Sequence, residues 1–99
     1  MNAAEKLEVL KTIYPDEAAL DRLLAKLLES VLADYRLRLQ RHEQSLRDFE
    51  TRYAMASSIF YRRFQAGELG DAMDFFEWAG LCELRQDLVA KIARLETAV

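Results

Sequence analysis

The chain holds one histidine, His42, and one cysteine, Cys82. His42 is the one side chain whose ordinary pKa lies near neutrality, so general acid–base chemistry would start there. Arg36 lies upstream of it in "RLRLQRH". The flanks here are ordinary repeat residues, and a histidine on an apolar stripe is more simply a tolerated polar residue. Cys82 has no Cys or His neighbour at metal-ligand spacing and reads as a small apolar filler. Ser57 and Ser58 have no histidine within reach, so no nucleophile is expected. Glu68, Asp71, Asp74 and Glu77 align at a helix start, where capping explains them better than a metal ion. No catalytic residue, cofactor or metal is expected.

The elements that would position these residues are helices. Apolar and charged residues are balanced as in a folded chain, and one proline and three glycines are present. The net charge of −3 gives no pull toward nucleic acid or anionic lipid. No apolar run approaches the roughly 20 residues that span a membrane. The N-terminus "MNAAEKLEVL" has no signal-peptide pattern, and a cytoplasmic location is expected. The spacing of Ala3, Leu7, Leu10 and Tyr14 predicts a short helix over about 3–14. Pro15 disfavours helix in Tyr14 and suits the first turn of the next helix.

Residues 16–66 contain neither Gly nor Pro. Their apolar positions are Leu20, Leu24, Leu27, Val31, Tyr35, Leu39, His42, Leu46, Phe49, Tyr53, Ala56, Phe60 and Phe64. They recur in steps of three and four, close to a heptad repeat. One very long helix over about 16–66 is expected, roughly 75 Å in length at 1.5 Å per residue. Whether it kinks near His42 is left open. A tight turn follows over 67–70, with Gly67 and Gly70 bending the backbone and Asp71 and Asp74 capping the next helix. That helix runs over about 71–97, with Phe75, Trp78, Leu81, Leu84, Leu88, Ile92 and Leu95 on one face.

The expected fold is therefore all-α: a short N-terminal helix, one very long helix and a C-terminal helix closing an antiparallel, coiled-coil-like hairpin within a single domain. Folding about the glycine turn pairs Phe64 with Met73, Ala56 with Leu81, Tyr53 with Leu84, Phe49 with Leu88, Leu46 with Ile92 and His42 with Leu95. Gly80 then lies by the small residues of 54–58 and permits close approach. Residues 36–63 carry seven Arg against three acidic residues, and 64–99 carry seven acidic residues against three basic ones. The arms are thus self-complementary, which sets pairing preference more than stability.

In this register the last helix leaves the start of the long one uncovered. Leu20, Leu23, Leu24, Leu27, Leu28, Val31 and Leu32 form a leucine-rich arm that the first helix is too short to hide. Large apolar patches are avoided in water, so the arm is expected to pair with a second copy or another protein. At the turn, Tyr61, Arg62, Glu68 and Phe76 are candidate contacts, being near residue types that dominate binding hot spots. Phe64, Phe75 and Trp78 read as filling of the hairpin tip.

The stretch "SSIFYRRFQAGELGDAMDFFEWAGLCELRQDLVAKIARLE" resembles a group of small helical prokaryotic proteins. They share an aromatic-Tyr-x-Arg-Phe segment, then Gly-Glu-Leu-Gly-Asp, then Asp-Phe and Glu-Trp. The matching residues are Phe60, Tyr61, Arg63, Phe64, Gly67, Glu68, Leu69, Gly70, Asp71, Asp74, Phe75, Glu77 and Trp78. Such proteins resemble the antitoxin half of a toxin–antitoxin pair, encoded beside TumE-like toxins. The resemblance implies a non-enzymatic protein that neutralises a partner toxin; a homodimer is expected as well, with no membrane contact and no direct nucleic-acid binding. Two other readings compete with it. Arg36 and His42 are similar in spacing to the motif of small helical ribonucleases of the HEPN class. A purely structural dimeric coiled-coil scaffold is the third.

Overall fold

In a computed structural model describing residues 1–14 and 16–99, the chain forms four helices among the described residues. These are α1 (Ala3–Ile13), α2 (Glu17–Tyr53), α3 (Ser57–Gln65) and α4 (Met73–Ala98). The fold is all-α, and α2 and α4 make the antiparallel hairpin that the repeat predicts. The molecule is a rod of 60 × 23 × 17 Å.

The helix starts follow from capping chemistry. Asn2 Oδ1 accepts from Glu5 N–H at 2.8 Å and opens α1. Asp16 Oδ1 accepts from Ala19 N–H at 2.6 Å and opens α2. Both satisfy amides that have no partner within the helix. Tyr14 ends α1 in an extended conformation, ψ 134°, as a residue before proline favours. The expected role of Pro15 lies outside the described residues.

The helix expected over 16–66 is two helices. It runs without a break past His42, then stops at Tyr53. Ala54 turns left-handed at φ 50°, the one non-glycine residue with positive φ among those described. The stop has no glycine or proline to announce it. Glu50 holds it instead. Its backbone carbonyl accepts from the N–H groups of Ala54 and Met55. Its carboxylate accepts from Ser57 N–H at 2.8 Å and caps α3, whose own N-cap Ala56 has no side chain to do so. The rod is accordingly shorter than the roughly 75 Å of an unbroken helix.

The break changes the hairpin register. Because α3 folds back onto α4, Phe49 stacks on Trp78 and not on Leu88. Tyr53 meets Phe75 and not Leu84. The C-terminal end of α4 therefore slides along α2 until Leu95 and Ala98 lie beside Leu28, Val31 and Tyr35. Ala79 and Cys82 are buried in the seam, while Leu84 is 50% exposed. The core at this end comprises Leu46, Phe49, Phe60, Trp78, Ala79 and Cys82. The charge pattern survives the shift: Arg36–Glu96, Arg52–Asp74 and Arg85–Glu43 bridge α2 and α4.

Two of the three glycines have roles other than those expected. Gly67, at φ 72°, does close α3 in the left-handed conformation, and Glu68 N–H donates to the Arg63 carbonyl across it. Gly70 makes no use of positive φ. A Cβ on Gly80 would meet nothing within 4 Å, so Gly80 does not bring helices close. Asp71 is not a cap either: Ala72 is the N-cap of α4 and no side chain bonds there.

Gly80 is thus a helix-interior glycine without a packing role. Gly80→Ala is expected to stabilise the fold by about 1 kcal/mol, raising the melting temperature by roughly 4–8 °C. Thermal denaturation followed by circular dichroism checks this; an unchanged or lower melting temperature contradicts the reading.

Candidate protein-binding surface

The tip of the hairpin is built around one indole. Trp78 is fully buried between two rings. Phe60 of α3 lies 3.8 Å from it, centroid to centroid, at 4° between planes. Phe49 of α2 lies at 5.6 Å and 10°. The indole N–H donates to Ser57 Oγ at 2.9 Å, so its polar edge is satisfied inside the core. Phe64 and Phe75 pack at the margin of this cluster, as filling of the tip requires. The sequence-level roles of Trp78, Phe75 and Phe64 follow from their positions on the inner side of α3 and α4.

Asp74 locks the start of α4 to the end of α2. Its Oδ2 accepts from the Tyr53 hydroxyl at 2.6 Å and from Arg52 Nη1 at 2.8 Å. The hydrogen bond from Tyr53, and then that from Arg52, hold the Asp74 carboxyl below its ordinary range. The same carboxylate raises the Tyr53 phenol. Asp74 was expected to cap α4; its side chain reaches across to α2 instead.

The candidate contacts at the tip divide by what they touch. Tyr61 donates to Glu83 Oε1 at 2.9 Å, which ties α3 to α4. Glu68 pairs with Arg63 at 3.3 Å on the surface. Arg62 is exposed. Phe76 is 54% exposed and meets Phe64 edge to face, at 5.6 Å and 88°. Met73, one turn before it, is 81% exposed. Sequence reasoning paired Met73 with Phe64 and so missed it as a surface residue. Its spacing of three from Phe76 put both on one face, a signal that was present.

The leucine-rich arm is covered more than the expected register allows. Leu20 and Leu32 are buried within the chain, and Leu23, Leu24 and Leu28 are partly covered. The first lies under α1's end of the hairpin, and the C-terminal end of α4 reaches Leu28. Leu27 and Val31 remain exposed, at 54% and 42%. Leu20 and Leu32 therefore belong to the interior of the monomer, Leu20 beside α1 and Leu32 where α4 slides along α2.

The residues with chemical potential are dispersed. Arg36 pairs with Glu96 at 3.4 Å. His42 lies six residues further along the same helix, which places the two side chains about 120° apart around the axis. Burial pushes the Cys82 thiol up, away from the reactive thiolate. Cys82 borders a cleft of about 380 Å³ between α2, α3 and α4, whose walls carry Glu43, Glu50, Arg47 and Arg85. Acidic and basic groups alternate there, and Glu50 and Arg85 are already engaged. Glu68 and Asp74 of the acidic set each hold an arginine and do not converge. No described helix is long and apolar enough to cross a membrane.

Comparison with protein families, with curated proteins and with solved structures gives no match to this chain.

The Asp74 contact predicts a pH dependence. A carboxyl lowered in the folded state stabilises above its ordinary pKa of 3.8 and loses that contribution as pH falls through the folded value. Asp74→Asn is expected to melt below wild type at pH 7, with the gap closing toward pH 2. Denaturation curves of both proteins across that range check it; a gap independent of pH contradicts it.

Proposed function

We propose that this protein is a non-enzymatic protein-binding module, the antitoxin of a toxin–antitoxin pair, which grips its toxin with the hairpin tip. The observation that carries the reading is the outward pair Met73 and Phe76. Both are large and apolar, both are exposed, and they stand on a rigid aromatic core. A large side chain held in water on a stiff support loses little conformational freedom on binding, which favours affinity. Exposed Arg62 and the Arg63–Glu68 pair supply a polar rim. The Gly-Glu-Leu-Gly-Asp segment of the resemblance lies in the same turn, at residues 67–71.

Self-association accompanies this reading and rests on a separate observation. Leu27 and Val31 stand one turn apart on α2, both exposed, beside the groove that α4 leaves near Tyr35. A homodimer would cover them. The ribonuclease reading has less support, since Arg36 is taken by Glu96 and does not share a face with His42. A protein with a net charge of −3 also lacks the general attraction for RNA.

Finding a small gene beside this one whose product is toxic when expressed alone, and co-expressing the two, tests the antitoxin. Wild type is expected to restore growth and to co-purify with the toxin. Phe76→Ala is expected to weaken the complex by about 30-fold or more, the scale of a hot-spot residue, without a loss of melting temperature. Val89→Ala, an exposed apolar change on the far part of α4, is the control and should leave binding unchanged. Toxicity that persists in the presence of wild type removes the reading.

A further inference from the structure

The sequence pattern and the folded chain disagree at one place, and the disagreement is physical. From Phe49 through Tyr53, Ala56, Phe60 and Phe64 the apolar steps of three and four never lose phase. Nothing between Glu17 and Gln65 is a helix breaker. Alanine is the best helix former, yet Ala54 is held left-handed at φ 50°, a conformation that an L-residue with a Cβ disfavours. Ala54 and Ala56 are exposed, so no packing of their own side chains demands the bend. The bend is maintained from outside: by Glu50 on Ser57 N–H, and by Phe60 closing on Trp78.

From this we infer that residues 54–56 are an exchange hinge, and that the homodimer forms by swapping the α3–α4 unit between two copies. In the exchanged form α2 and α3 join into one straight helix. The α3–α4 unit stays intact, with Phe60 on Trp78, and docks on α2 of a second copy. Trp78 then stacks on the partner's Phe49, and Asp74 holds the partner's Arg52 and Tyr53. Apart from the Glu50 cap on Ser57 N–H, which a continuous helix replaces, the contacts between α2 and the α3–α4 unit are made again in trans, so the occupant is fixed by chemistry already present: it is a second copy of this chain. Two features favour the exchange over the closed form. Ala54 leaves its left-handed conformation, and Met55 and Ser57 exchange their bonds to Glu50 for regular helical ones. The inference deepens the self-association in the reading above; it does not depend on the toxin.

The test is the oligomeric state of hinge variants, read by light scattering after size exclusion. Glycine accepts positive φ freely and weakens a continuous helix, and each dimer has two hinges. Ala54→Gly is expected to raise the dimer dissociation constant by about tenfold or more. Ala54→Val, whose branched side chain opposes the left-handed state, is expected to lower it. Both side chains point into solvent, so both variants fold. The geometry is read by electron–electron distances between spin labels at Arg41→Cys and Arg62→Cys in a Cys82→Ala background, with labelled chains diluted in unlabelled ones. A straight helix sets the labelled backbone positions about 31 Å apart at 1.5 Å per residue; the closed form is shorter. A dimer with the long distance and the stated order of variants supports the exchange. A dimer with the short distance overturns the exchange and keeps self-association. A chain that stays monomeric up to about 1 mM overturns both. A monomer with the long distance also overturns the exchange.

Discussion

The stacking of Phe60 on Trp78 organises the molecule. The indole is held between a ring from α2 and a ring from α3, with its N–H satisfied by Ser57. Within a single chain, only a bend can bring both rings to it. Burying an aromatic of this size removes roughly 150–250 Å² from water, worth about 4–6 kcal/mol at 25 cal/mol per Å². Each favourable ring pair adds about 0.5–1.5 kcal/mol. Against that stand a left-handed alanine, about 1–2 kcal/mol, and a few amides that need new partners. Glu50 alone provides partners for the amides of Ala54, Met55 and Ser57, so the cost of the bend stays small.

The bend then decides what the rest of the chain can touch. By shortening the path from α2 to α4 it slides α4 along α2, so that Leu95 and Ala98 come to Leu28, Val31 and Tyr35. It buries Leu32 and leaves Leu84 in water. It also replaces Asp74's capping role with a cross-link to Arg52 and Tyr53. Exposed ion pairs such as Arg36–Glu96 contribute tenths of a kcal/mol and adapt to the register chosen by the rings. Packing sets the alignment and charge accommodates it.

The tip separates an inner from an outer set of apolar residues. Trp78, Phe60 and Phe49 are sealed in; Phe76 and Met73 face out from the same rigid platform. A core with no buried side-chain nitrogen or oxygen left without a partner among the described residues holds that outer pair in place. Such a platform suits recognition of a protein surface. The charged cleft beside Cys82, by contrast, has Glu50 engaged by Ser57 N–H and Arg85 paired with Glu43.

The helical class, the hairpin, the turn at Gly67 and the start of α2 were legible in the residues, because each rests on local chemistry: a period, a cap, a left-handed glycine. The complementary charges of the two arms were legible for the same reason. The break at Ala54 was not. Alanines and serines in 54–58 favour helix or tolerate it, and only the distant Trp78 and the reach of Glu50 make the bend the lower state. The pairing register, the burial of Leu32, the exposure of Met73 and the open space at Gly80 all follow from that bend. The sequence by itself determined which segments are helical and which faces are apolar; only the tertiary structure decided where the long helix stops, since that choice depends on a ring stack between residues far apart in the chain.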